Sequence, residues 1–215
     1  MIIDAHTHYT TAPLQLQAYR GRQITDLGKP VRAKLQISDE QLERSMDGQF
    51  KRMKESGIDR LLFSPQASAM GHHFGSPLVS RYWTEACNDI IARVAKRWPD
   101  KISPVCQLPQ SPGVGPKEWV DELERCVKDL GFVSCNVNPD VAGGKEPLTP
   151  SVGSEWWYPL WEKMVDLDVP CTIHASASLN PAMHLTNAYY IAHHNSAAVE
   201  LLKSRVFKDF PKLKI

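Results

Sequence analysis

The chain has 215 residues, enough for one sizeable hydrophobic core in a single domain. Its 42% apolar content, 23% charged content and formal net charge of +1 leave no basic or acidic excess, which argues against nucleic-acid or polybasic membrane partners. No apolar stretch is long enough to span a bilayer, and Asp4 and His6 stand where a signal peptide would carry a basic region and an apolar run, so a cytoplasmic protein is expected.

In chain order, residues 2–8 (IIDAHTH) read as a first strand. Residues 9–37 hold turn formers, Gln and basic residues with weak periodicity, and are expected to be a long loop, either a lid or an oligomer contact. A helix follows from Ser38, a candidate N-cap with Gln41 three residues on, to Gly57 as its terminator. Residues 59–65 form a second strand, and Ser76 with Pro77 opens the next helix. Residues 101–109 are a third strand, a helix runs from Pro116 to Gly131, and residues 132–139 are a fourth strand. The glycines at 113–115 lack the third glycine of a dinucleotide-binding turn and precede a proline, so they read as an ordinary turn. A helix rich in Trp (Trp156, Trp157, Trp161) leads to a fifth strand at 169–176, and those rings are expected to pack helix against sheet. Another helix spans 186–204, and residues 213–215 look like the start of a sixth strand.

Strands alternating with helices indicate βα units and a parallel sheet, rolled into an open α/β sheet or a (β/α)₈ TIM barrel. The five cysteines form no CxxC pair and are expected to be buried free thiols.

The chemistry begins in the first strand. Side chains alternate along a strand, so Asp4, His6 and His8 share one face. Burying such a polar face is costly unless something satisfies it, and a divalent metal would do so. His6 and His8 become ligands in this reading, with Asp4 orienting them. His174, near the end of the fifth strand, supplies a third ligand, because barrel enzymes build their sites at that end of the strands. The fourth strand offers no Lys or acidic bridge, which favours one metal ion over two, and Asn136 becomes a candidate substrate contact; the competing reading has Asn136 and Asn138 satisfying loop backbone.

The stretches DAHTH, LPQSPGV, GFVSCNVNPD and WYPLWEKMVDLDVPCTIHAS resemble the amidohydrolase superfamily, in its amidohydrolase-2 branch. Within that branch the likeness runs toward the 4-oxalomesaconate hydratases. The resemblance implies a metal-dependent (β/α)₈ barrel with one Zn²⁺ on His6, His8 and His174. It also implies a hydro-lyase that adds water to an unsaturated keto-tricarboxylic acid in aromatic catabolism. Tyr190 occupies the place of a general acid in this picture, and equally fits a core tyrosine. His72 and His73 follow the second strand, and His73 is expected to meet substrate carboxylates; His184, His193 and His194 are given no role. The implied partner is a small carboxylic acid, with homo-oligomerisation left open. A decarboxylase or hydrolase on the same metal site is the alternative enzyme, and a non-catalytic degenerate barrel the alternative class. The family continues past the strand at 213–215 into an HGG motif and two further βα units with an acidic residue. About six strands are therefore expected here, an N-terminal two thirds of the eight that close a barrel.

Overall fold

Five parallel strands form one sheet in strict chain order: β1 (Ile3–His8), β2 (Arg60–Ser64), β3 (Ile102–Gln107), β4 (Ser134–Val137) and β5 (Cys171–Ile173). The structure, a computed structural model, describes residues 1–66, 71, 73–175 and 188–215. Each crossover carries helix: α1 (Leu14–Thr25) and α2 (Asp39–Glu55) before β2, α3 (Pro77–Arg97) before β3, α4 (Val120–Lys128) before β4, α5 (Tyr158–Asp166) before β5. After β5 come α6 (Ala188–Lys203) and the short α7 (Val206–Asp209). The result is a curled half-barrel, an incomplete TIM barrel of the expected α/β class.

Burial explains the strand sequences. Every residue of β3 and β4 is buried, as a parallel sheet covered on both faces requires. In register, Cys106 of β3 meets Cys135 of β4, which meets Cys171 of β5. The three thiols lie toward α4, where Cys126 joins them. All five cysteines are free and buried, as expected, and burial pushes the Cys135 thiol up to about 12. Between α4 and α5, Trp119, Trp157 and Trp161 are fully buried, and Trp156 meets both Trp119 and Trp157 edge-on. The indole N–H of Trp157 donates to the Pro150 carbonyl at 2.8 Å. These rings pack on one another and join the one buried cluster that also holds the sheet's apolar side chains.

Local signals hold well at α2. Ser38 accepts from the Gln41 N–H while the Gln41 side chain accepts from the Ser38 N–H, a full capping box. Ser76 precedes α3 without a side-chain cap, and Pro77 fills the first turn.

Two expectations need correction. The connection at 9–37 contains α1 and is not a continuous loop. Its buried side holds Leu16, Tyr19 and Gln23, and the Gln23 side-chain Oε1 accepts the Val31 N–H at 3.0 Å while Tyr19 Oη donates to the Val31 carbonyl at 2.6 Å. That polar clasp, invisible to an apolar periodicity, folds the segment back on itself. Residues 213–215 form no strand; one bond, from the Cys171 N–H to the Lys214 carbonyl, ties them to β5. The described sheet therefore has five strands, not about six.

Candidate metal centre

The first and last strands of the sheet meet through three imidazoles. His8 Nε2 lies 3.1 Å from His6 Nε2 and 3.0 Å from His174 Nε2. Their ligand nitrogens all fall within 4.8 Å of one another, and among the described residues no other group of three or more His, Cys, Asp or Glu does so. The sequence separation of His8 and His174 is bridged by the ladder: Asn136 pairs with Thr172, Val137 with Ile173, and the His174 N–H donates to the Val137 carbonyl at 2.7 Å. A register irregularity between Asp4 and Thr7 marks β1 just where the two histidines leave it.

The donor set fits a cation. The Nδ1 of His8 sits 3.0 Å from the Pro65 carbonyl, which can only accept, so that nitrogen carries the proton. The Nε2 lone pair of His8 is then left facing two more ring nitrogens. Such lone pairs repel unless a proton or a metal sits among them. On a tetrahedral ion with bonds of about 2.0–2.1 Å, ligand nitrogens lie roughly 3.3 Å apart, close to the 3.1 and 3.0 Å that separate His8 from His6 and from His174. Burial, with a smaller effect from neighbouring His6, holds His8 below its usual 6.5 against the opposing Pro65 bond. A ligand imidazole is needed neutral, and that shift keeps it so.

Among the described residues, Asp4 makes no hydrogen bond to a triad imidazole ring. Its Oδ1 accepts the His6 backbone N–H at 3.0 Å, a local turn-like bond within its own strand. The orienting groups are Pro65 and Ser64, whose hydroxyl lies 2.9 Å from His8 Nδ1.

Asn136 and Asn138 part company. Asn138 is tied into backbone: its N–H donates to the Gln110 side chain at 2.8 Å, its carbonyl accepts from Gln110 at 2.9 Å, and its Oδ1 accepts the Asp140 N–H. Asn136 is only 5% exposed, yet its Nδ2 has no hydrogen-bond partner among the described residues. Strand alternation turns it away from the cysteine side, to the face shared by Thr172 and His174. A buried amide donor left open on the metal's face is a ready ligand contact.

His73 is half-buried in the β2–α3 loop, its ring 4.6 Å from Phe74. Gly71, at φ +78°, turns the chain there; a Cβ on it would meet the Phe74 ring at 2.9 Å. His73 lines a cavity of ≈410 Å³ with Ser111, Ala142, Lys145 and Glu146, all on loops at the strands' C-terminal ends. Tyr190 is half-buried on α6, one turn before His194. His72 and His184 lie outside the described residues.

Sequence reasoning missed His194 and Gln110. His194 Nε2 accepts the Ala175 N–H at 3.1 Å, immediately beyond His174 of the triad. Gln110, wholly buried, locks the end of β3 to the end of β4.

With this geometry the chain can be compared with known proteins. A 2-keto-4-carboxy-3-hexenedioate hydratase of Sphingobium sp. strain SYK-6 is 45% identical over 220 residues, covering 100% of this chain and 63% of that protein. The crystal structure of a 4-oxalomesaconate hydratase from Rhodopseudomonas palustris superposes with a TM-score of 0.85 at 40% identity, over 100% of this chain and 61% of that one. A dihydroxybenzoic acid decarboxylase from Polaromonas sp. JS666, solved with manganese and 2-nitroresorcinol, shares the fold at TM-score 0.70 and 22% identity, over 100% and 64%. The chain thus spans under two thirds of the length of these relatives. The amidohydrolase profile, of the amidohydrolase-2 type, matches residues 3–215. On that match and that identity, the chain belongs to the amidohydrolase family.

Proposed function

We propose that this chain carries the metal centre of a hydratase that adds water to an unsaturated keto-tricarboxylic acid of the 4-oxalomesaconate type, in aromatic-compound catabolism. The observation that carries the reading is 45% identity with a hydratase across the whole chain, against 28% over 79% of it for a gamma-resorcylate decarboxylase. His6, His8 and His174 hold one ion. Three neutral imidazoles suit Zn²⁺ and rank it above manganese in affinity. When bound, the ion supplies Lewis acidity that activates water and polarises a substrate oxygen.

The chain's own residues do the rest. Pro65 keeps the His8 proton on Nδ1, so Nε2 faces the ion. Asn136 Nδ2 donates to a substrate oxygen on the same face. His73 contacts a substrate carboxylate at the loop cavity. Tyr190 Oη holds the proton that passes to substrate carbon as water adds across the double bond. The partner is this small acid, and the five free thiols favour the cytoplasm.

The test is elemental analysis followed by two assays on the zinc-loaded protein. One zinc per chain is expected, lost in His6→Ala and in His174→Ala. The loaded protein should hydrate 4-oxalomesaconate and release no carbon dioxide from 2,6-dihydroxybenzoate. Decarboxylation without hydration would overturn the assignment.

A further inference from the structure

We propose that Lys145, with His73, forms a second anion subsite that holds a substrate carboxylate away from the metal and selects polycarboxylates. The inference rests on the hydratase reading for its substrate class, but its observations are separate. The ≈410 Å³ cavity is built by three loops that leave the C-terminal ends of β2, β3 and β4, the end of the sheet where the three imidazoles gather. Its lining includes His73 from the first loop, Ser111 from the second, and Lys145 with Glu146 from the third. Lys145 makes no ion pair among the described residues, and its ammonium lines the cavity beside His73. Glu146 is turned toward its own loop, where its Oε2 accepts the Leu148 N–H at 3.2 Å.

The roles divide by charge. Burial first, and the Lys145 charge second, hold His73 below its usual 6.5. His73 is therefore a neutral N–H donor at pH 7, and Lys145 supplies the positive charge. Gly75 and Pro77, at the entrance to α3, line the same cavity, and the first turn of α3 holds no acidic residue to oppose an anion. A monocarboxylate held at the metal has nothing to place here. A tricarboxylate has two carboxylates to spare.

The experiment is calorimetric titration of zinc-loaded protein with tricarballylate (propane-1,2,3-tricarboxylate), which cannot be hydrated. Wild type should bind it. Lys145→Gln should weaken it by about tenfold, the loss of one exposed charge-assisted hydrogen bond. Lys145→Arg should retain most of the affinity, and zinc affinity should be unchanged in both variants. The proposal is overturned if wild type does not bind tricarballylate, if Lys145→Gln binds it as wild type does, or if that variant loses zinc and tricarballylate together. The two readings fail separately. Lys145-dependent binding without turnover of 4-oxalomesaconate leaves the subsite and removes the hydratase. Turnover with an unchanged KM and tricarballylate affinity in Lys145→Gln does the reverse.

Discussion

Replacing His194 by Ala should loosen the metal centre without touching a ligand. Ala175 is 5% exposed, and its N–H donates to His194 Nε2 at 3.1 Å. The residue before it is His174. Removing the acceptor leaves a buried donor unpaired, which costs about 1–3 kcal/mol. His194 itself is exposed, so water reaches part of the vacated space and the lower end, about 1 kcal/mol, is expected. Where the cost appears depends on whether the end of β5 relaxes. If the strand end frays in the metal-free protein, that form recovers the bond with water, and the whole penalty falls on zinc binding, roughly a tenfold loss of affinity. If it stays in place, both forms lose the same stability. Urea unfolding with and without zinc, together with a zinc competition titration, separates the two. His194→Gln puts an amide oxygen near the lost nitrogen and should recover most of the loss. Wild-type urea midpoints in both forms, with zinc affinity unchanged, would refute the role given to His194.

Two further outcomes follow from the same structure. Because burial depresses His8 below 6.5, the unfolded chain binds more protons than the folded one in mild acid, so stability from this group is present above about pH 6.5 and is lost as pH falls through the depressed value; the urea midpoint of metal-free protein should fall from pH 7 to pH 5, and less so in His8→Gln. Glycine substitutions should split by site: Gly48→Ala, in α2 with nothing within 4 Å of the new methyl, should stabilise by about 0.5–1 kcal/mol, whereas Gly153→Ala, whose methyl would lie 2.7 Å from the Glu200 carbonyl, should destabilise by about 1–3 kcal/mol in the same assay.

What the sequence revealed, and what it hid, follows from the range of each interaction. Alternation along β1 put His6 and His8 on one face, and the βα rhythm put His174 at the same end of the sheet, so the triad was legible from periodicity alone. The five-strand order follows from the same rhythm. α1 was not legible, because a Gln among its buried residues breaks the apolar stripe and is satisfied by a backbone turn eight residues on. Asp4 looked like a ligand orienter because alternation gives the direction of a side chain but not its nearest donor, and the His6 N–H is nearer. His194 carried no signal at all. Its partner is a backbone amide 19 residues away, and no spacing of side chains records such a bond.

The triad also makes metal binding a report on the whole sheet. His8 stands on β1 and His174 follows β5, 166 residues later, and their nitrogens meet only when all five strands hold their register. The metal-free site satisfies that closure only in part, since His8, with its proton committed to Pro65, offers a single Nε2 lone pair to the two imidazoles beside it. An ion engages all three nitrogens at once and clamps one edge of the sheet to the other. Binding only the folded form, it adds RT ln(1 + [Zn]/Kd), about 4 kcal/mol at a thousandfold excess over Kd. Wild type should therefore unfold at a higher urea concentration in zinc than in chelator. His6→Ala and His174→Ala should lose nearly all of that shift while unfolding in chelator close to wild type, because the single His8 Nε2 lone pair still finds a donor in the remaining imidazole. A shift of equal size in wild type and in both variants would place the zinc elsewhere. A marked loss of metal-free stability in the variants would mean that the imidazoles hold the sheet together by themselves.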